Sequence, residues 1–115
     1  MKYQELEQRT TNFGIDIIRF CSLKRITIIN KSLISQVIKS ATSIGANYRE
    51  ANQASSKKDF VNKVKICQKE INETKHWLEI LEAVESEDKV ITKKLWTEAH
   101  ELLLIFGKII SKCRE

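Results

Sequence analysis

From Val37 to Leu81 the apolar residues of this chain keep two separate helical registers, and no other feature constrains the fold as strongly. Val37, Ala41, Ile44, Tyr48 and Ala51 recur at alternating steps of four and three. Phe60, Val64, Cys67, Ile71, Thr74, Leu78 and Leu81 then repeat the same rhythm. Such spacing holds a stripe on one side of a helix. Polar residues keep a register of their own: Ser40, Ser43, Asn47 and Glu50 run one position behind the first stripe.

The punctuation of other fold classes is missing. There is no proline in 115 residues and there are three glycines, so the turns of a β-sandwich or an α/β fold have little to be built from. An all-α chain follows, of a length that supports one domain over residues 1–115.

Four helices can be placed. The first, about residues 5–24, carries Leu6, Phe13, Ile17 and Phe20, widened by Gly14, Ile18 and Cys21. Gly14 is its weak point, since an interior glycine costs about 1 kcal/mol relative to alanine. The β-branched run from Arg25 to Asn30 suits an extended connector, with Asn30 as the cap of a second helix over about 31–52. Ser56 and Asp59 give the S-x-x-D spacing of a capping box that opens the third helix, about 56–84. Thr92 is the predicted cap of the fourth, about 92–113, whose stripe is Leu95, Ala99, Leu102, Phe106, Ile109 and Cys113. Rods of about 30 Å joined by short links predict an up-down-up-down antiparallel four-helix bundle.

Two helices carry more apolar surface than one core needs. Leu104 and Ile105 point away from the fourth stripe, and Ile66, Glu70, Glu73, Trp77, Ile80 and Val84 form a second row on the third helix. A helix with two apolar faces buries two. Self-association is therefore expected, with Trp77, Ile80, Leu104 and Ile105 at the subunit interface.

Catalysis finds little footing. Inward glutamates of a bundle can hold two metal ions, and Glu73 and His76 supply one Glu-x-x-His step, but that frame needs two. His100 follows Glu98 by two residues, on a different helix face. No glycine-rich phosphate loop or Gly-x-Ser-x-Gly turn occurs. Cys21, Cys67 and Cys113 are widely spaced on or beside apolar stripes and read as small hydrophobes of a reducing cytosol. Ser43, Asn47, Glu50, Glu70 and Glu73 are expected to form a structural polar network that fixes register or assembly. No enzyme, metal or cofactor is expected.

The chain has a formal charge of +5. In an antiparallel bundle the basic excess is largest at the end that collects Arg9, Arg49, Lys57, Lys58, Lys63, Lys108 and Lys112. Arg49, Lys57, Lys58, Lys63, Lys108 and Lys112 are the predicted nucleic-acid contacts, made to phosphates without any base-reading motif. The amino terminus lacks an apolar signal core and no stretch of about eighteen apolar residues exists, so a cytoplasmic protein with no membrane span is expected.

Three motifs carry a resemblance: Ser40-Ala-Thr-Ser-Ile-Gly-Ala-Asn-Tyr-Arg-Glu-Ala51, Ser56-Lys-Lys-Asp-Phe60, and Lys69-Glu-Ile-Asn-Glu-Thr-Lys-His-Trp-Leu78. In order and spacing they resemble the bacterial four-helix-bundle family encoded by intervening sequences of 23S ribosomal RNA genes. The resemblance implies a bundle that assembles into a cyclic homopentamer. Related accessory proteins of diversity-generating retroelements look like the same basic barrel and bind nucleic acid. The family's Ser, Asn and Glu positions fall on Ser43, Asn47 and Glu50, and its paired glutamates on Glu70 and Glu73. Ala41 stands where glycine is common, and His76 where tyrosine is common. The functional expectation is a non-enzymatic homo-oligomer that binds structured RNA or an RNA-containing complex; the alternative is a scaffold that docks a protein partner.

Overall fold

A computed structural model describes residues 2–85 and 87–114. Met1 and Glu115 lie outside the described residues, as does Ser86 of the expected third connector. The described chain is all-α: α1 is Tyr3–Ser22, α2 Lys31–Ala51, α3 Lys57–Val84 and α4 Lys89–Cys113. Contacts run α1 to α2, α2 to α3, α3 to α4 and α4 back to α1, with no diagonal packing of comparable extent. Cross-helix pairs fix the directions. Thr10 faces Gly45 while Gly14 faces Thr42, and Ser40 meets Thr74 while Ile44 meets Cys67. Neighbouring helices therefore run antiparallel, in a rod of 45 × 21 × 20 Å.

The core is made by the predicted stripes. Phe13, Ile17, Val37, Ala41, Ile44, Val64, Cys67, Ile71, Leu78, Leu81, Ala99, Leu102 and Phe106 are all buried. Each fully buried Ile, Leu or Phe contributes about 1.5–3 kcal/mol. Tyr48 meets Phe106 edge-on at 5.2 Å across this core. Of the buried polar residues, Thr74 and Ser40 form a seam contact, in which the Thr74 hydroxyl lies 2.8 Å from Ser40 Oγ and 2.8 Å from the Glu70 carbonyl.

Several expectations need correction. α4 opens at Lys89, three residues before the predicted start, because Asp88 takes a left-handed conformation (φ 59°) that turns the chain sharply. Thr92 is then interior, and its hydroxyl donates back to the Asp88 carbonyl at 3.0 Å. Ile110 is the buried residue near the end of α4 where Ile109 was expected; Ile109 is half-buried, as are Phe60 and Cys113 at the stripe ends. Steps of four and three average 3.5 residues against a helical repeat of 3.6, so a heptad template drifts off the core face by the last turn.

Gly14 and Gly45 are buried where α1 and α2 come close. A Cβ on Gly14 would lie 3.5 Å from Thr42 Cα, and one on Gly45 would lie 3.3 Å from Thr10 Oγ1. Gly14, read as a weak point, sits where the helices pack.

Asn30 holds the expected cap position of α2, its carbonyl accepting from the Ile34 amide at 2.9 Å, but its side chain makes no capping bond. Its side chain instead accepts from the Thr27 amide at 2.8 Å and donates to the Arg25 carbonyl at 3.0 Å and to Glu85 Oε2 at 2.9 Å. Lys24, its side chain 7% exposed, places Nζ 3.2 Å from Glu85 Oε1 and 4.5 Å over the Phe20 ring. The contact is an ion pair at the edge of hydrogen-bond distance. Asn30, Glu85 and Lys24 thus tie the first connector to the third.

Two outcomes follow. Gly107→Ala, whose new methyl would meet Gln68 Nε2 at 3.8 Å, should raise the stability read by urea denaturation by about 0.5–1 kcal/mol. Gly45→Ala should lower it, because the Thr10 hydroxyl is held by the Glu7 carbonyl at 2.9 Å and cannot swing aside freely; an equal gain at both sites would refute the tight seam. The second concerns acid. Glu85 is held below its ordinary 4.5, first by the Asn30 amide and then by Lys24, against the opposing effect of burial. A depressed carboxylate stabilises the fold above its unfolded pKa, and that contribution disappears as pH falls through the lower folded value. Between neutral pH and about pH 3, Glu85→Gln should therefore lose less stability than the wild type, and parallel acid limbs would contradict the tie.

Candidate nucleic-acid interface

One end of the rod gathers the start of α1, the end of α2, the start of α3 and the end of α4. The S-x-x-D motif acts there as read: Ser56 is extended (φ −147°, ψ 161°) and its Oγ accepts from the Asp59 amide at 3.1 Å. Lys57 and Lys58 follow in the first turn of α3, both exposed. Cations at a helix amino terminus oppose the macrodipole, so their charge is poorly compensated from within. Lys108 and Lys112 lie one turn apart near the end of α4, also exposed. None of these four lysines has an ion-pair partner among the described residues.

The other two predicted contacts are partly engaged. Arg49 places Nη1 3.6 Å from Glu7 Oε1, and Nη2 lies 3.4 Å from Thr11 Oγ1. Lys63 Nζ lies 3.6 Å from Glu50 Oε1. Both are loose contacts on partly exposed side chains, of a kind that contributes little to stability. Arg9, counted with the basic end, differs. It grips Glu98 through bonds of 2.8 and 2.7 Å and reaches Glu101 at 2.9 Å, which holds its guanidinium pKa above the ordinary value. Arg9 adds no free positive charge.

The expected polar network is dispersed. Ser43 Oγ donates to the Lys39 carbonyl at 2.7 Å and Asn47 Nδ2 to the Ser43 carbonyl at 2.8 Å, both within α2. Glu50 reaches Lys63 instead. Glu70 and Glu73 line a recess of about 190 Å³ with Lys39, Ser40, Lys69 and Trp77. Burial first, and the Glu73 carboxyl second, push the Glu70 carboxyl up. The buried side-chain hydrogen bond across helices joins Ser40 and Thr74 instead, of which Ser40 stood in the predicted row and Thr74 in an apolar stripe.

Of the predicted interface residues, Leu104 is 55% exposed, whereas Trp77, Ile80 and Ile105 are half-buried and Trp77 and Ile105 pack on the core. Each histidine packs against a tryptophan. His76 meets Trp77 edge-on at 5.0 Å, and His100 stacks on Trp96 at 5.3 Å with Lys75 Nζ 3.0 Å from its Nδ1. Among the described residues no three His, Cys, Asp or Glu side chains converge as metal ligands. All three cysteines are free, and burial pushes Cys21 up to about 11 and Cys67 up to about 12, so neither is a thiolate at neutral pH. No described helix is long and apolar enough to cross a membrane.

Two features escaped the sequence reading. At the far end, Leu23, Ile26, Ile28 and Ile29 are exposed beside Val84, Val90 and Ile91, with Ile28 at 97%. The β-branched run signalled the connector but not which way its side chains face. At the basic end, a cavity of about 400 Å³ opens between Tyr3, Phe60, Lys108 and Lys112. Its residues come from all four helices, so no local pattern announces it.

The family model described as 23S rRNA-intervening sequence protein matches residues 3–108. A crystal structure of a protein of unknown function from the S23 ribosomal protein family of Bacteroides thetaiotaomicron is 32% identical. The likeness covers 90% of this chain and 96% of that one, with a TM-score of 0.79. No curated protein matches this chain. With nearly all of α1 to α4 inside the matched span, the chain belongs to the 23S rRNA-intervening sequence protein family.

Proposed function

We propose that this protein is a non-enzymatic, cytoplasmic homo-oligomer that holds structured RNA, or an RNA-containing complex, by its phosphate backbone. The observation that carries the reading is the cluster of Lys57, Lys58, Lys108 and Lys112 at one end without carboxylate partners among the described residues, while Arg9 and Lys24 elsewhere are tightly paired. Lysines at the start of α3 oppose its dipole, and a bound phosphate would offset that cost. Family membership and a ribosomal-family neighbour point toward an RNA-containing partner. Free, buried thiols suit a reducing compartment.

Assembly is the second half of the reading. Leu104 and Ile66 are exposed on neighbouring helices, and α1 and α2 offer a shallow recess of about 270 Å³ lined by Gly14, Ile15, Ile18, Thr42 and Ala46. A ridge on one side and a recess on another make a head-to-tail contact, which closes into a ring when the rotation allows. A ring of five is the form the resemblance implies, and it would repeat the basic end about its axis.

A scaffold that docks a protein partner is the second reading, favoured by the exposed isoleucines of the first connector. RNA retardation at about 50 mM salt should weaken steeply as salt rises. Reversing Lys57 and Lys58 to glutamate should reduce affinity at least tenfold with helicity unchanged. Absence of binding at low salt sinks the RNA reading, and a protein partner retained after nuclease treatment selects the scaffold. In light scattering the wild type should exceed the monomer mass and Leu104→Glu should shift it toward monomer; a monomeric wild type refutes the assembly.

A further inference from the structure

The cavity at the basic end has the composition of a ligand site. Its walls are Leu6, Ile105 and Ile109, and its aromatic lining comes from Tyr3 on α1 and Phe60 on α3. At about 400 Å³ it lies within the range of small-molecule sites and takes one flat heterocycle with its sugar. Polar groups reach it from Tyr48 and Asn52 as well as from the two lysines. Asn52 gives its Nδ2 hydrogen to Glu7 at 2.8 Å, which fixes the carboxamide. Burial raises the Tyr48 hydroxyl above its ordinary value, against the lowering effect of the neighbouring Asn52 side chain. Lys108 and Lys112 complete the lining on one face of α4.

That combination selects a ligand. An apolar slot with aromatic lining suits the face of a ring, fixed polar groups of opposite kinds suit the edge of a base, and two ammonium groups suit an adjoining phosphate. A base inside a duplex is stacked on both faces and cannot enter. A single strand presents each base to an aromatic platform while its backbone follows a positive surface. Lys57 and Lys58 extend such a surface from the side of Phe60.

We propose that the cavity bounded by Tyr3, Phe60, Lys108 and Lys112 is a nucleotide pocket that takes one unstacked base of a single-stranded segment, with its phosphate on the two lysines. The proposal rests on the phosphate-binding reading above and deepens it. The protein then engages nucleic acid in two ways: a salt-sensitive hold on phosphates that any strand satisfies, and a base pocket that an unpaired nucleotide alone fills.

Fluorescence anisotropy with a labelled single-stranded RNA and the matched duplex separates the two. At about 200 mM salt, where phosphate contacts are weakened, the wild type should bind the single strand about tenfold more tightly than the duplex. Tyr3→Ala, at a side chain 54% exposed, should abolish that preference and leave duplex affinity unchanged; Ile109→Trp, which fills the slot, should do the same. Adenosine monophosphate should displace the strand at concentrations where inorganic phosphate does not, which marks the pocket as open to a free nucleotide too. Equal affinity for strand and duplex, a preference that survives both substitutions, or equal displacement by phosphate would each overturn the pocket while the phosphate reading stands. Loss of both strand and duplex binding at low salt would remove both.

Discussion

Each connector of this bundle is shorter than the helices it joins, and that constraint decides which chemistry meets. A helix that leaves one end of the rod must return to it, so residues from four distant parts of the sequence collect at each end. Tyr3, Asn52, Phe60 and Lys108 line one cavity only because α1, α2, α3 and α4 alternate in direction. The buried stripes supply the free energy for that arrangement. The close approach at Gly14 and Gly45, and the Ser40 to Thr74 contact, align the helices lengthwise.

The charges divide by whether they have an answer within the fold. Arg9 is held by two carboxylates of α4, on the thinnest seam of the bundle, where few side chains otherwise link α1 and α4. Lys24 is taken out of water against Phe20 and Glu85. A cation buried in this way requires its partner, since removing one member leaves an uncompensated charge. Lys57, Lys58, Lys108 and Lys112 carry no such obligation, and their field is available to a ligand. Net charge alone would have counted all of them alike.

Much of the fold was legible because stripes and caps are local. Four-and-three spacing put the core residues on one face, and Ser56 with Asp59 marked the start of α3. Errors arose where a residue had a competing use. Thr92 resembles a cap, yet a left-handed Asp88 had already opened the helix. Asn30 does hold the cap position of α2, yet its amide serves Glu85, a partner fifty-five positions away. Ile109 and Ile110 differ by one place, and the drift between 3.5 and 3.6 residues decides between them. The site was less legible: the lysines could be named, but their freedom depends on where Glu7, Glu50 and Glu98 reach, and the cavity needs four helices at once.

The tie among Lys24, Asn30 and Glu85 also explains why the isoleucines of the first connector stay outside. A loop free to relax would fold Ile26, Ile28 and Ile29 back over nearby apolar surface, since each exposed isoleucine forgoes about 1.5–3 kcal/mol of burial. Asn30 opposes this by bonding the connector backbone at Thr27 and Arg25 and the Glu85 carboxylate just past α3. The result is an exposed apolar tip, with Ile28 almost wholly in water. The two ends of the rod therefore differ in kind. One presents ammonium groups that have no carboxylate partner among the described residues around an aromatic cavity, and the other a set of exposed β-branched side chains. An interaction at the charged end weakens with salt, whereas burial of the tip does not, so ionic strength separates what each end holds.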